Sequence, residues 1–255
     1  MSEHNDLGFQ GKRVLVTGAS SGIGRSVAIE LSRWGAGVIL VGRDEERLKN
    51  TAEALRDGDH VTLCLDLRDH AGIFPHIKKL ARSGGRIYGM CHAAGVVDTK
   101  PLSASNFKAV QASLDVNLIA GLEVARVVCR RDVLEEEGGS LLFIASIYGL
   151  IGMPGEMAYS ASKGAVLAAV RTLAVELARR KIRVNALSPG FVSTAMTENA
   201  LSRLSVEHAE KIKNAHPLGV GTPEDVARAA SFLLAPVNSW VTGTNLVIDG
   251  GFTAQ

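Results

Sequence analysis

The chain has 255 residues, of which 46% are hydrophobic and 21% charged, with a formal net charge of +2. That is enough chain for one large α/β domain, and so even a charge balance excludes a basic nucleic-acid arm or an acidic tail. Small molecules are the expected partners, with no nucleic acid. Cys64, Cys91 and Cys129 are too scattered for a disulfide framework or a zinc site, so they are expected as buried free thiols and no metal is expected. The polar start Met1-Ser2-Glu3-His4-Asn5-Asp6 lacks the apolar stretch of a secretory signal, and no apolar run approaches the roughly 20 residues of a membrane span. The expected location is the cytoplasm, with no membrane partner.

Val14-Leu15-Val16 is a short β-rich run, followed by the turn Thr17-Gly18-Ala19-Ser20-Ser21-Gly22-Ile23-Gly24 and a helical pattern through Ala28, Leu31 and Trp34. Strands are then predicted at Val38–Val41, Val61–Leu65 and Ile87–Cys91, with a charged helix from Asp44 and another element from Asp69. One long helix is expected from Asn106 to Arg131, ended by Glu135-Glu136-Glu137, before a buried strand Leu141–Ala145 that puts Ser146 at its C-terminal end. A second long helix spans about Ala158 to Arg179, and further strands fall at Val184–Leu187 and Leu246–Ile248. Between them, residues 194–216 show no strand pattern and read as a helical lid over a substrate. Regular β-α alternation predicts a single-domain, Rossmann-like, doubly wound parallel sheet with helices on both faces.

Gly18, Gly22 and Gly24 follow a strand and open a helix. There, glycine lets the backbone of Ser20, Ser21 and Ile23 approach a pyrophosphate and aim helix N–H groups at it. At the end of the second strand an acidic residue would bind a ribose 2′-hydroxyl; this chain has Gly42 and then Arg43, whose guanidinium matches a phosphate. The predicted cofactor is therefore NADP(H) in preference to NAD(H), although Asp44 and Glu45 are placed to pair with Arg43. Asp66, beside Leu67, either accepts from an adenine amino group or caps a helix. Tyr159 and Lys163 are four apart on a predicted helix and share one face. A phenol of pKa about 10 is only about 0.1% phenolate at pH 7. An ammonium roughly 5 Å away favours the phenolate by about 3 kcal/mol, or about two pKa units, at an effective dielectric near 20.

These motifs together resemble the short-chain dehydrogenase/reductase family: the Thr17–Gly24 turn, Val116-Asn117, Ser146, Tyr159-x-x-x-Lys163 and Pro189-Gly190-x-x-x-Thr194, in order, over roughly Lys12 to Gly251. The resemblance implies a sheet of about seven strands and a catalytic set of Asn117, Ser146, Tyr159 and Lys163. In that set Tyr159 exchanges the proton, Ser146 hydrogen-bonds the substrate oxygen, Lys163 holds the nicotinamide ribose, and Asn117 positions a relay water. It also implies that Pro189, Gly190, Val192 and Thr194 clasp the nicotinamide carboxamide and that Gly95, after Ala94, lies against the adenosine ribose. The family's Asn-Asn-Ala-Gly is here His92-Ala93-Ala94-Gly95; His92 reads as a satisfied histidine at the sheet end, not a catalytic one.

Within the family the chain resembles the 3-oxoacyl carrier-protein reductases. Arg126, Arg130, Arg131, Arg179, Arg180 and Lys181 offer a basic surface for an acidic carrier, but Glu135-Glu136-Glu137 falls where those reductases tend to place a basic contact. A small free carbonyl or secondary alcohol is therefore the expected substrate, with the carrier-bound 3-oxoacyl thioester as the alternative and a non-catalytic dinucleotide sensor as a more distant one. The family geometry implies a pocket of Tyr148, Ile151, Met153, Met157, Phe191 and Met196. It also implies a homotetramer built on the two long helices and the C-terminal strand.

Overall fold

Continuous apolar runs such as Gly37–Gly42 and Gly139–Ile144 can be satisfied only between two layers, because every side chain on both faces of the strand needs cover. In the computed structural model, which describes residues 6–195, 197–198 and 206–255, they form the interior of a seven-stranded sheet. Its strands are β1 (Arg13–Thr17), β2 (Gly37–Gly42), β3 (Val61–Cys64), β4 (Gly89–His92), β5 (Gly139–Ile144), β6 (Ile182–Pro189) and β7 (Asn245–Ile248). All pairings are parallel and the order is β3-β2-β1-β4-β5-β6-β7. The five inner strands are buried along their whole length, whereas the edge strands β3 and β7 are partly exposed. Cys64 is accordingly exposed at the edge; Cys91 is buried and Cys129 half-buried, which corrects the expectation of three buried thiols.

One face is covered by α3 (His70–Gly84), α5 (Ala120–Val128) and α6 (Met157–Leu177), with Ile73, Ile77, Val124, Val166 and Val170 in one core. The other face carries α1 (Gly22–Arg33), α2 (Glu45–Ala52) and a further helix, Pro223–Leu234, whose Val226, Ala230 and Leu234 pack with Val27 and Leu31 of α1. This last helix was not anticipated from the sequence. Thr222 and Asp225 form a reciprocal capping box at its start and Pro223 occupies its first turn, a strong local start signal.

Two predicted helices differ in detail. The span from Asn106 to Arg131 is α4 (Phe107–Leu114), a π-helical stretch Asp115–Ile119 and α5, ending at Val128; Asn106 caps its start by accepting from the Ala109 N–H. The acidic run lies beyond that end. The lid is described only in part: α7 (Val206–Asn214) is helical, while Met196 and residues 199–205 lie outside the described residues. No helix among the described residues is long and apolar enough to cross a membrane.

Candidate active site

Because all strands are parallel, their C-terminal ends form one edge. Strand order reverses at β1, whose two neighbours β2 and β4 leave in opposite directions and open a crevice. A cleft of 370 Å³ lies there. Gly18, Ser20, Ser21, Gly22, Ile23, Gly24, Arg43, Asp66, Leu67, Ala94, Gly95, Ser146, Tyr159, Lys163, Pro189, Gly190, Val192 and Thr194 all line it. Asn117 does not: it is fully buried behind the wall.

The turn after β1 is made by glycine geometry. Gly18 has φ +67° and a Cβ there would sit 2.8 Å from the Ala94 nitrogen, so the β1 and β4 loops can close on each other only with glycine at this point. Ser21, the N-cap of α1, makes no side-chain cap bond, so the first-turn N–H groups of α1 are left to serve whatever occupies the cleft. A pyrophosphate is what such a turn accommodates, and the cradle here fits it. Farther along, Arg43 is exposed and makes no hydrogen bond or ion pair with another described residue. Asp44 is occupied elsewhere: it accepts from the Arg47 N–H to cap α2 and pairs with the Arg47 guanidinium. Asp66 is not a helix cap; Asp69 caps α3. Instead Asp66 takes a forked bond from Arg68, which also lines the cleft, and that guanidinium holds the Asp66 carboxyl down at about 2. Arg68 was missed in the sequence, where only its position two residues past Asp66 marked it.

At the other end of the cleft, Lys163 Nζ donates to the Ile144 carbonyl at 2.7 Å and stands 5.6 Å from the Tyr159 ring centroid. The Tyr148 N–H donates to Ser146 Oγ at 3.2 Å, and the rings of Tyr148 and Tyr159 meet edge to face at 6.4 Å. Burial pushes Tyr159 up to about 12, opposed by its hydrogen bond with Ser146 and reinforced by the charge of Glu156 and by Tyr148. The expectation that Lys163 brings the phenol down is therefore corrected: the ammonium is turned to a carbonyl of β5, and desolvation of the phenolate wins. Burial also pushes Lys163 down to about 8. Glu156, itself buried, accepts from the Thr99 hydroxyl, and its own carboxyl is raised by burial.

Asn117 acts as a peg. Its Oδ1 accepts from the Val96 N–H at 2.8 Å, while its Nδ2 donates to the Val96 carbonyl at 3.0 Å and to Ser162 Oγ at 2.9 Å. Ser162, another residue the sequence did not single out, donates its O–H to the Tyr159 carbonyl. His92 is the satisfied histidine expected: it is 1% exposed, donates from Nε2 to the Val116 carbonyl and accepts from Thr17 at Nδ1. Burial, with the Lys163 charge nearby, pushes it down to about 4, so it is neutral and fixes the start of the π stretch. Of the predicted substrate pocket, Tyr148, Ile151, Met153, Met157 and Phe191 do not line this cleft. Tyr148 lies against Tyr159, and Phe191 packs edge-on to His216.

Comparison with known proteins fits this arrangement. A family model described as Enoyl-(Acyl carrier protein) reductase matches residues 18–253. A short-chain type dehydrogenase/reductase from Mycobacterium marinum superposes with a TM-score of 0.88 at 30% identity, covering 100% of both chains. The chain belongs to the short-chain dehydrogenase/reductase family. As a member of that family it is an NAD(P)-dependent oxidoreductase acting on CH–OH groups. It is 35% identical over 251 residues to the 3-oxoacyl-[acyl-carrier-protein] reductase of Chlamydia pneumoniae, covering 97% of this chain and 99% of that protein. A chain from Beutenbergia cavernae determined with bound NADP at low occupancy matches with a TM-score of 0.90 at 33% identity, covering 98% of this chain and all of that one.

Proposed function

We propose that this short-chain dehydrogenase/reductase reduces a small carbonyl compound to a secondary alcohol with NADPH, and reverses the reaction with NADP. The observation that carries this reading is the placement of Tyr159, Ser146 and Lys163 at one end of a cleft whose other end is the glycine turn and an uncommitted Arg43. Bound there, the nicotinamide supplies or takes up a hydride. The chain's own groups handle the proton. Tyr159, held as a neutral phenol, donates to the carbonyl oxygen. Ser146, whose Oγ already accepts from the Tyr148 N–H, donates its O–H to the same oxygen. Lys163 holds the nicotinamide ribose and resupplies the proton. Asn117 has its side chain committed to Val96 and Ser162, which leaves its main chain to position a relay water. Pro189, Gly190, Val192 and Thr194 hold the carboxamide, Asp66 and Leu67 the adenine, and Ala94 and Gly95 the adenosine ribose.

Preference for NADP(H) rests on Arg43. A charge-assisted bond to a 2′-phosphate contributes about 1.5–3 kcal/mol, so Arg43→Ala weakens NADPH binding about tenfold or more and leaves NADH within about twofold. Fluorescence titration reads both; equal losses contradict the assignment.

Lys163 sets the pH dependence. With its ammonium lost near pH 8, reductive kcat falls as pH rises through about 8, while alcohol oxidation gains over the same window because a neutral Lys163 can take the proton. A reductive kcat that stays flat from pH 7 to 10 is the contrary result.

The second reading, a 3-oxoacyl thioester on a carrier protein, is favoured by the Chlamydia pneumoniae relative. Within one chain the acidic run does not oppose it as anticipated. Glu135 pairs with Lys12 and Glu136 with Arg86, at the N-terminal end of β5 and away from the cleft. A panel of free ketones, sugars and 3-oxoacyl thioesters with NADPH and with NADH separates the readings. Turnover confined to thioesters selects the second, and NADPH binding with no turnover selects a sensor. The expected substrate lid at about 194–216 includes α7 (Val206–Asn214), which this reading places over the substrate. A homotetramer is the expected assembly, supported by exposed Phe107, Ile119 and Val175 on the long helices and Trp240, Leu246 and Val247 around β7; sedimentation velocity tests it.

A further inference from the structure

The segment after β6 reaches the cleft through its main chain, and that main chain is anchored at almost every residue. The Gly190 N–H donates to the Ile248 carbonyl of β7, the Gly221 N–H to the Phe191 carbonyl, and the Ser193 N–H to the Gly221 carbonyl. The Phe191 N–H is different: it donates to a side chain, Nε2 of His216, at 3.1 Å. His216 is only 5% exposed and stands two residues past α7. Its Nδ1 donates to the Ile212 carbonyl at 2.9 Å while Nε2 accepts, so both ring nitrogens are used. The ring lies 4.7 Å from that of Phe252 and meets Phe191 edge-on at 6.3 Å. A Cβ on Gly190 would come within 3.1 Å of Nε2, which shows how closely the ring and this backbone are packed.

We propose that His216 is a positioning residue for the nicotinamide end of the cofactor, joining the lid helix α7 to the Phe191 amide and so fixing the backbone from Pro189 to Val192 against the cleft. The inference rests on reading that segment as the carboxamide clasp. Among the described residues His216 Nε2 is the acceptor the Phe191 N–H has, and the carbonyls that hold the neighbouring amides, Ile248 for Gly190 and Gly221 for Ser193, each already accept a bond. An orphaned Phe191 N–H would have to turn toward water, and Pro189–Val192 would turn with it.

The test uses two ligands that differ only in the nicotinamide ring. Dissociation constants for NADPH and for 2′-phospho-ADP-ribose are measured on the intact protein and on three variants. His216→Phe keeps a ring on Phe252 but removes the acceptor. His216→Gln keeps an acceptor at the reach of Nε2. His216→Asn reaches only as far as Nδ1. The expected result is that Phe and Asn weaken NADPH at least tenfold, leave 2′-phospho-ADP-ribose within twofold, and that Gln restores most of the loss. Equal weakening of both ligands, or Gln no better than Asn, overturns the proposal, because a merely structural ring would behave that way. Should His216→Phe fail to fold, the Gln and Asn pair decides alone. If the unaltered protein binds the two ligands equally, the carboxamide-clasp reading itself fails; if it prefers NADPH and no variant changes that, only the role of His216 fails.

Discussion

Tyr159→Phe lowers reductive kcat by about 10²- to 10⁴-fold, the range for loss of a positioned general acid, and leaves NADPH binding within about twofold. In the proposed mechanism the phenol is the group whose proton ends on the alcohol oxygen, and burial pushes its pKa up to about 12, which suits it to act as the acid. Phenylalanine preserves the edge-to-face contact with Tyr148 and the ring beneath Lys163, so packing is unchanged and the deficit isolates the proton. Stopped-flow oxidation of NADPH gives the rate and fluorescence titration the affinity. A variant that keeps more than a tenth of the rate would move the acid elsewhere, with Ser146 the next group in reach of the oxygen.

Gly24→Ala is the second large effect. An added Cβ would stand 2.3 Å from the Gly18 carbonyl oxygen, 2.6 Å from its carbon and 3.0 Å from the Thr17 oxygen. All three are backbone atoms, so no side chain can swing away and α1 must move off β1. Overpacking of this kind costs about 1–3 kcal/mol, and the displaced N–H groups no longer converge on a pyrophosphate. The expected outcome is a melting temperature lower by several degrees, at about 2–4 °C per kcal/mol for a chain this size, with NADPH bound about tenfold more weakly or worse. Gly152→Ala, where a Cβ meets nothing within 4 Å, is the matched control and leaves both unchanged. Thermal melts with and without NADPH read both quantities; a Gly24→Ala protein with normal affinity contradicts the cradle.

The strands were legible because inner parallel strands must be apolar on both faces, which makes runs such as Val38–Val41 hard to mistake. Which strand sits at the edge is a property of the whole sheet, so the exposure of Cys64 could not be read locally. The π stretch at Asp115–Ile119 interrupts a pattern that is apolar on both sides of it, leaving no break to see. The helix Pro223–Leu234 is hard to see in the sequence because small residues, Ala227, Ala230 and Ser231, make up half of its buried face, although its capping box marks its start. Spacing placed Tyr159 and Lys163 on one helix face. It could not tell that Nζ would donate to the Ile144 carbonyl, nor that burial would raise the phenol pKa where a lowering was expected. In the same way the Asp66–Arg68 fork and the His216 bond to Phe191 depend on where side chains point, which no spacing rule carries.

In the proposed function this cleft would bring a nicotinamide against a carbonyl carbon for direct hydride transfer. NADPH deuterated at C4, tested in each of its two stereochemical forms with the best ketone or thioester of the panel, addresses that claim, with the product alcohol examined by mass spectrometry and proton NMR. One deuterium is expected on the carbinol carbon from one of the two forms and none from the other. Product formed with no deuterium from either form would contradict direct hydride transfer.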